Sequence, residues 1–204
     1  ALRIPIFRWF SGHFGTYFMV IDVLQCIGLS LLLIVLCYKL IGQNHKLFSL
    51  FMIVTGTLIF ISEPLYRTYT ATDIPLFFAN YLTKANGSIF TIMPWFGYMA
   101  YGAFIATLFY SYLNRPKFKN TIIAGFLIVG LFLVNGSTYF LHWIYKGTGI
   151  QLIDDVANFN YLFIRLGNVL VIFGLFYAFE ALLKNTLILK IGQKTLSIYV
   201  IQFI

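Results

Sequence analysis

The chain alternates between long apolar runs and short polar segments, at a spacing typical of membrane-spanning helices. A helix that crosses a bilayer needs about 20 predominantly apolar residues. By this measure the sequence predicts five complete spans, at residues 16–40, 47–62, 89–113, 121–145 and 161–183. A sixth apolar run starts near residue 187. The pattern therefore predicts an all-α fold, a polytopic transmembrane helix bundle.

The third run, NGSIFTIMPWFGYMAYGAFIATLFY at 86–110, begins as a polar turn and becomes a long apolar helix. Pro94 suits the first turn of a helix, where its missing N–H group is not needed. Trp95 is typical of a membrane–water boundary. Small residues on the helix allow a neighbouring helix to approach closely in lipid. They are Gly97, Ala100, Ala103 and Ala106.

Composition supports the membrane assignment. The chain is 60% hydrophobic and 10% charged, with a mean hydropathy of +0.87, whereas soluble domains carry about 25% charged residues. The long runs favour helices over the strands of a membrane barrel, which are alternating segments of about ten residues each. Cys26 and Cys37 fall in one apolar run, which favours small core residues over a disulfide or a metal pair.

The net charge of +8 lies in short loops between spans, so it indicates membrane topology and not nucleic-acid binding. Basic residues concentrate in the loops after spans one, three and five: Lys39, Lys46, Arg115, Lys117, Lys119, Lys184 and Lys190. The intervening loops carry Asp73, Asp154 and Asp155. The positive-inside rule therefore predicts that the basic loops are cytoplasmic, although Arg3 and Arg8 fall on the other side.

Ionisable residues inside spans are costly and indicate a functional site by default. Asp22 and Gln25 are three residues apart and are expected to share a helix face. With Arg165 they are predicted to line a polar cavity that opens outward. Ionisable residues at the outer ends of spans are expected to join them: His13, Glu63, Arg67 and His142. The alternative is a structural ion pair between Asp22 and Arg165.

The basic loop after span three has two interpretations. Arg115, Lys117 and Lys119 are either a topology signal alone or a site for the phosphates of an anionic cytosolic cofactor. His13 and His142 have no metal-ligand spacing, and no metal site is predicted. The sequence also has no phosphate-binding loop, no dinucleotide fingerprint and no GxSxG nucleophile motif.

Three stretches together resemble one family: VIDVLQCIGLSLLL at 20–33, FTIMPWFGYMAYGAF at 90–104 and LKIGQKTLSIYVIQFI at 189–204. This is the heparan-α-glucosaminide N-acetyltransferase family of polytopic membrane acyltransferases, and the last stretch is also similar to the acyltransferase-three group. The residues that match are Gln25, Pro94, Trp95, Gly97, Gly192, Thr195, Ser197 and Tyr199. The chain departs from the pattern at Cys26, where the family has Arg, and at Gln202, where many relatives have His.

The resemblance implies transfer of an acetyl group from cytosolic acetyl-CoA to a sugar hydroxyl or amine across the membrane. The basic loop of Arg115, Lys117 and Lys119 would then hold the CoA phosphates. The polar path to the acceptor is expected to involve Asp22, Gln25, Trp95, His142 and Arg165. The family's catalytic His is expected upstream of Ala1, so the residues 1–204 are interpreted as one acyltransferase-like domain, truncated at both ends and inactive alone.

Two other functions remain open on the sequence: a transporter or flippase of a small or lipid-linked substrate, and a non-catalytic membrane scaffold. High Phe, Tyr, Ile, Lys and Asn usage favours a bacterial source with an AT-rich genome, and hence the cytoplasmic membrane. The expected partners are membrane lipid and a glycan acceptor. A homo-oligomer is compatible with the sequence.

Overall fold

The structure is a computed structural model that describes residues 21–41, 44–85, 88–183 and 192–195. The helices are α1 (Val23–Leu40), α2 (His45–Ile61), α3 (Glu63–Arg67), α4 (Leu76–Leu82), α5 (Ile92–Tyr112), α6 (Phe118–Asn135), α7 (Ser137–Thr148), α8 (Gln151–Asn158), α9 (Tyr161–Ala178) and α10 (Glu180–Leu183). The all-α helix bundle predicted from the sequence is confirmed.

Four described helices are long and apolar enough to cross a membrane: α1, α5, α6 and α9. The second predicted span is α2, an apolar helix of 17 residues that measures about 26 Å. It packs against α5, from Phe48 and Met52 beside Ala100 to Phe60 beside Gly97. The predicted second span, 47–62, thus corresponds to this shorter apolar helix.

The fourth predicted span, 121–145, is not one helix. The helix is interrupted at Gly136, which separates α6 from α7. Helix α7 packs against α8, and the two form a helical hairpin. The polar residues that follow position 134 cause this break. Ser137 is buried, and its hydroxyl accepts a hydrogen bond from the Asn160 amide at 2.6 Å. The Ser137 hydroxyl also donates to the Leu133 carbonyl oxygen, so it is satisfied at the end of α6, whereas Asn160 Oδ1 has no partner among the described residues.

Two pairs of helices form the closest packing, α6 with α9 and α2 with α5. Glycines make both approaches possible. A Cβ atom on Gly167 would lie 2.7 Å from the Gly130 carbonyl oxygen, and one on Gly97 would lie 2.7 Å from the Phe60 ring. The prediction of close packing on the small-residue face of α5 is confirmed at Gly97 and Ala100, whereas Ala106 is exposed.

The two helix pairs meet through large apolar side chains. Phe60 contacts the rings of Tyr98, Tyr101 and Phe163, and Tyr98 donates a hydrogen bond to the Leu162 carbonyl oxygen at 3.2 Å. A further cluster of buried residues completes this core: Ile59, Phe96, Phe126, Leu166 and Leu170. The core holds the pairs in register without close backbone contact between them.

The bundle has two chemically different ends. We call the end that carries Asp22, Glu63, Thr91 and Asn160 the polar end, because helices α1, α5 and α9 begin there and α2 and α6 end there. The opposite, basic end carries Lys39, Lys46, Arg115, Lys117 and Lys119. These lysines and the arginine all lie in or beside the loops predicted to be cytoplasmic.

Candidate functional site

A polar cavity of about 200 Å³ lies at the polar end. Its walls come from α3, from the segments that connect α3 to α4 and α4 to α5, and from the first residues of α5 and α9. The side chains that define its chemistry are Glu63, Tyr66, Arg67, Thr91 and Tyr161. The cavity therefore combines one carboxylate, one guanidinium, the Lys84 side chain and several hydroxyl groups at the edge of an otherwise apolar bundle.

Glu63 is the buried charge of this cavity, with 2% of its surface exposed. The Tyr161 hydroxyl donates to Glu63 Oε1 at 3.3 Å, and Arg67 Nη1 lies 3.7 Å from Oε2. The (i, i+4) spacing of Glu63 and Arg67 brings them together on α3. A buried carboxylate is costly unless it is paired, and Tyr161 and Arg67 are the partners of Glu63 beside the cavity.

Arg67 is fixed from its other side by an aromatic ring. Its guanidinium carbon lies 4.4 Å from the centre of the Phe159 ring, in a cation–π arrangement. Phe159 directly follows α8, so this contact joins the α7–α8 hairpin to the cavity wall. The hairpin thus positions Arg67.

Tyr66 presents a buried hydroxyl group that has no hydrogen-bond partner among the described residues. Burial raises the pKa of the Tyr66 phenol, and the nearby Tyr161, Glu63 and Tyr98 raise it further. The phenol therefore stays protonated at neutral pH and is available as a hydrogen-bond donor. An unpartnered buried hydroxyl is unfavourable, which makes it a candidate for ligand contact.

The first turn of α5 closes the cavity on the α1 side. Met93 and Pro94 are joined by a cis peptide bond, and the Thr91 hydroxyl donates to the Met93 carbonyl oxygen. The Cys26 thiol donates to the Thr91 carbonyl oxygen at 3.5 Å. Because Cys26 is buried in this contact, it ties α1 to the cavity wall, in line with the core role predicted for it.

Asp22 is not inside a helix, as the first predicted span, 16–40, requires, whereas Gln25 lies in the first turn of α1. Residues 16–20 of that span lie outside the described residues, and α1 starts at Val23 with Asp22 as its N-cap. Asp22 and Gln25 form a capping box in which Gln25 Oε1 accepts from the Asp22 backbone N–H at 2.7 Å. Neither lines the cavity, and their part in a polar path remains a prediction.

Arg165 lies on α9, one turn beyond Tyr161, and its side chain is exposed. The guanidinium carbon is 5.2 Å from the centre of the Tyr161 ring. The alternative of a structural ion pair between Asp22 and Arg165 stays a prediction. Arg165 is adjacent to the cavity through Tyr161 but is not part of its lining.

Trp95 and His142 occupy different sites. Trp95 packs against Phe90 and Tyr98, and its buried indole N–H has no partner among the described residues. His142 Nδ1 lies 3.1 Å from Asp154 Oδ1, so this pair joins α7 to α8. The structure therefore does not bring Trp95 or His142 together with Asp22, Gln25 and Arg165 around the cavity.

The three basic residues proposed for a cofactor differ in their surroundings at the basic end. Lys119 Nζ is 2.9 Å from Glu180 Oε2 and also lies over the Tyr177 ring. The Arg115 guanidinium lies over the Tyr112 ring, and Lys117 is exposed at the left-handed turn before α6. Arg115 and Lys117 thus remain accessible to an anion, whereas Lys119 already has a carboxylate partner.

Sequence reasoning found Glu63 and Arg67 at the outer end but missed Tyr66 and Tyr161. No motif marks the two tyrosines, since tyrosine is common in this chain. Their role depends on α3 and α9 meeting at the cavity. The (i, i+3) spacing of Glu63 and Tyr66 was the one available signal, because it places both on one face of a short helix.

These observations define a polytopic integral membrane protein with a buried polar cavity at one end of its helix bundle. The family model of heparan-alpha-glucosaminide N-acetyltransferase, catalytic, matches residues 1–146, and the chain belongs to this family. The resemblance predicted from the sequence motifs is confirmed, and the family indicates a membrane acetyltransferase. No curated protein and no solved structure matches the chain.

Proposed function

We propose that this protein is part of an enzyme that transfers the acetyl group of cytosolic acetyl-CoA to a glycan acceptor on the far side of the membrane. The observation that carries the proposal is the match of the acetyltransferase family over residues 1–146. That match includes α1 to α6 and most of α7, and hence Glu63, Tyr66 and Arg67. We propose further that the membrane is the cytoplasmic membrane of a bacterium.

The acceptor binds in the polar cavity in this proposal. Sugars carry many hydroxyl groups, and a site for them needs donors and acceptors that are held in place. Glu63 supplies a fixed acceptor, because Tyr161 and Arg67 hold its carboxylate. Tyr66 supplies a donor that is not used within the described residues.

The donor binds at the basic end. CoA carries several phosphate charges, and Arg115 and Lys117 offer exposed cations there. In the transfer step the acceptor oxygen or nitrogen attacks the thioester carbonyl carbon while a base removes its proton. The tetrahedral oxyanion then collapses, and the C–S bond breaks to release CoA.

An assay of acetyl transfer by the intact protein in lipid nanodiscs tests this function. We expect release of free CoA thiol, coupled to acetylation of a soluble glucosaminide acceptor. Glu63→Gln should lower kcat/KM for the acceptor by about tenfold, because a charged hydrogen-bond acceptor is lost. The KM for acetyl-CoA should stay unchanged.

Asp73→Asn is the matched control, since Asp73 is an exposed carboxylate in the chain segment that follows α3. It should behave like the unaltered protein. Absence of CoA release with every acceptor tried would contradict the proposed function. Equal acceptor kinetics in Glu63→Gln and Asp73→Asn would remove Glu63 from the acceptor site.

A further inference from the structure

The two helix pairs leave an apolar groove between them, with a volume of about 460 Å³. Its walls come from α2, α5, α6 and α9, all of them apolar helices at membrane level. Representative lining residues are Ile53, Phe104, Ile105, Val129, Leu166 and Leu170. The groove is distinct from the polar cavity and shares none of its lining residues.

The few polar atoms of the groove are already satisfied. The hydroxyls of Thr57 and Tyr101 lie 2.8 Å apart, and the Thr57 hydroxyl also donates to the Ile53 carbonyl oxygen at 2.8 Å. A polar ligand would find no free partner on these two side chains. The chemistry of the lining therefore suits a hydrocarbon chain.

Helix α9 contributes lining residues to both the groove and the polar cavity. Tyr161 lines the cavity, and Phe163, two residues later, lines the groove. Phe60 contacts Phe163 with a ring-centroid distance of 5.2 Å. Because Tyr161 and Phe163 both lie in the first turn of α9, a molecule with a polar head and a long chain would reach both spaces along this helix.

We propose that the groove binds the hydrocarbon chain of a lipid-linked glycan acceptor while its sugar lies in the polar cavity. This inference rests on the proposed function and adds the class of acceptor. Val129 at the wall of the groove is 48% exposed on the lipid-facing surface. A molecule dissolved in the bilayer can therefore enter sideways, which a water-soluble glycan cannot do.

The affinity for such a chain comes from packing, since the chain is already in hydrocarbon when it lies in the bilayer. A long-chain acceptor is also enriched in the membrane whether or not the groove holds it. A comparison between protein variants in the same bilayer separates the two effects. Partition into the lipid is then identical, and only the groove differs.

Two glycines supply the variants. Gly125 lines the groove, and a Cβ atom built on it meets no atom within 4 Å. Gly28 on α1 has the same open surroundings and does not line the groove. Gly125→Leu therefore fills the groove without a clash at Cβ, and Gly28→Leu is its matched control for a leucine added to a spanning helix.

The first arm of the experiment measures acetyl transfer by the intact protein in nanodiscs, with dodecyl and methyl glucosaminide as acceptors. The measured quantity is kcat/KM for the dodecyl compound divided by kcat/KM for the methyl compound. This ratio should be about tenfold lower in Gly125→Leu than in Gly28→Leu, because the packing of the hydrocarbon chain in the groove is lost. An equal ratio in both variants overturns the proposal.

The second arm does not depend on turnover. A dodecyl glucosaminide with a diazirine in its chain is photoactivated, and labelled peptides are mapped by mass spectrometry. We expect labelling of the Val129 region that is reduced in Gly125→Leu and retained in Gly28→Leu. Absence of labelling in the Val129 region overturns the proposal. Equal labelling by a diazirine phosphatidylcholine that the glucosaminide does not displace also overturns it, because an ordinary membrane lipid then occupies the groove.

The two arms separate the inference from the function on which it rests. Groove labelling without acetyl transfer to either acceptor supports chain binding and contradicts the proposed function. Acetyl transfer with no groove labelling supports the function and overturns the inference.

Discussion

Tyr66 illustrates how one side chain links burial to chemistry at the scale of a residue. Its hydroxyl is buried without a partner among the described residues, and Glu63 and Tyr161 contribute to the raised pKa of its phenol. The protonated form is favoured in the folded protein. The free energy of unfolding therefore does not depend on the titration of this group at neutral pH, and it falls as the pH rises above the ordinary phenol pKa of about 10.

Tyr66→Phe should leave the protein as stable or make it more stable, because the cost of a buried unpartnered hydroxyl, about 1–3 kcal/mol, is removed. The same variant should lower kcat/KM for the acceptor by about tenfold, because the cavity loses its free donor. Thermal unfolding and acetyl-transfer kinetics measure the two effects. Tyr139→Phe, which alters an exposed tyrosine, is the control.

A lower melting temperature with unchanged kinetics in Tyr66→Phe would contradict this assignment. It would show that the hydroxyl has a structural partner and no role in binding the acceptor.

Single residues also separate the two interpretations of the basic loop. Lys117→Gln should raise the KM for acetyl-CoA by about threefold, since an exposed cation is removed from the phosphate site. Lys119→Gln should raise it less, because Lys119 is paired with Glu180. Steady-state kinetics at low ionic strength measure both values. Unchanged KM in Lys117→Gln would leave the loop as a topology signal alone.

Glycine contacts determine which helices pair at the scale of the element. Gly130 on α6 and Gly167 on α9 let the two backbones approach until a Cβ on either would meet the other's carbonyl oxygen at 2.9 Å or less. Dispersion from close packing is a main source of helix association in lipid. The α6–α9 pair is therefore expected to be sensitive to one added methyl group.

Gly167→Ala should destabilise the protein by about 1–3 kcal/mol, the usual cost of overpacking a close contact. Gly125→Ala, on the same helix pair, should not destabilise it, because its Cβ meets open space. Thermal unfolding in detergent micelles measures the difference between the variants. Equal melting temperatures would show that α6 and α9 are not held together by this contact.

The whole molecule is polarised, with the polar cavity at one end and the basic group of Lys39, Lys46, Arg115, Lys117 and Lys119 at the other. This arrangement suits an enzyme that takes a charged donor from one side of the membrane and an acceptor from the other. The positive-inside rule predicts that the basic end is cytoplasmic. The orientation of the intact protein in cells is therefore a test of the proposed direction of transfer.

Lys117→Cys should resist a membrane-impermeant maleimide added to intact cells and react after the cells are opened. Lys146→Cys, exposed at the end of α7 near the polar end, should react in both conditions. The protein with only its native Cys26 and Cys37 provides the background signal. Labelling of Lys117→Cys from outside would reverse the orientation and with it the direction of acetyl transfer.

The sequence by itself determined the class of fold and the family. Long apolar runs require helices in a membrane, because backbone groups must be satisfied within each segment, and the motifs at 20–33 and 90–104 lie within the region matched by the acetyltransferase family. The runs do not mark where a helix is capped or broken. In the structure Asp22 is therefore an N-cap, and the predicted span at 121–145 is divided into two helices at Gly136.

Only the tertiary structure decided which polar residues share a site. Apolar residues are distributed almost evenly around a helix that is surrounded by lipid. Their pattern in the sequence therefore does not show which face of the helix meets which neighbour. The meeting of Glu63 with Tyr161, 98 residues apart, depends on where α3 and α9 begin in space. The groove likewise exists because two helix pairs, each packed closely at glycines, meet each other through large side chains. The sequence of a single apolar run does not show how these helices are arranged.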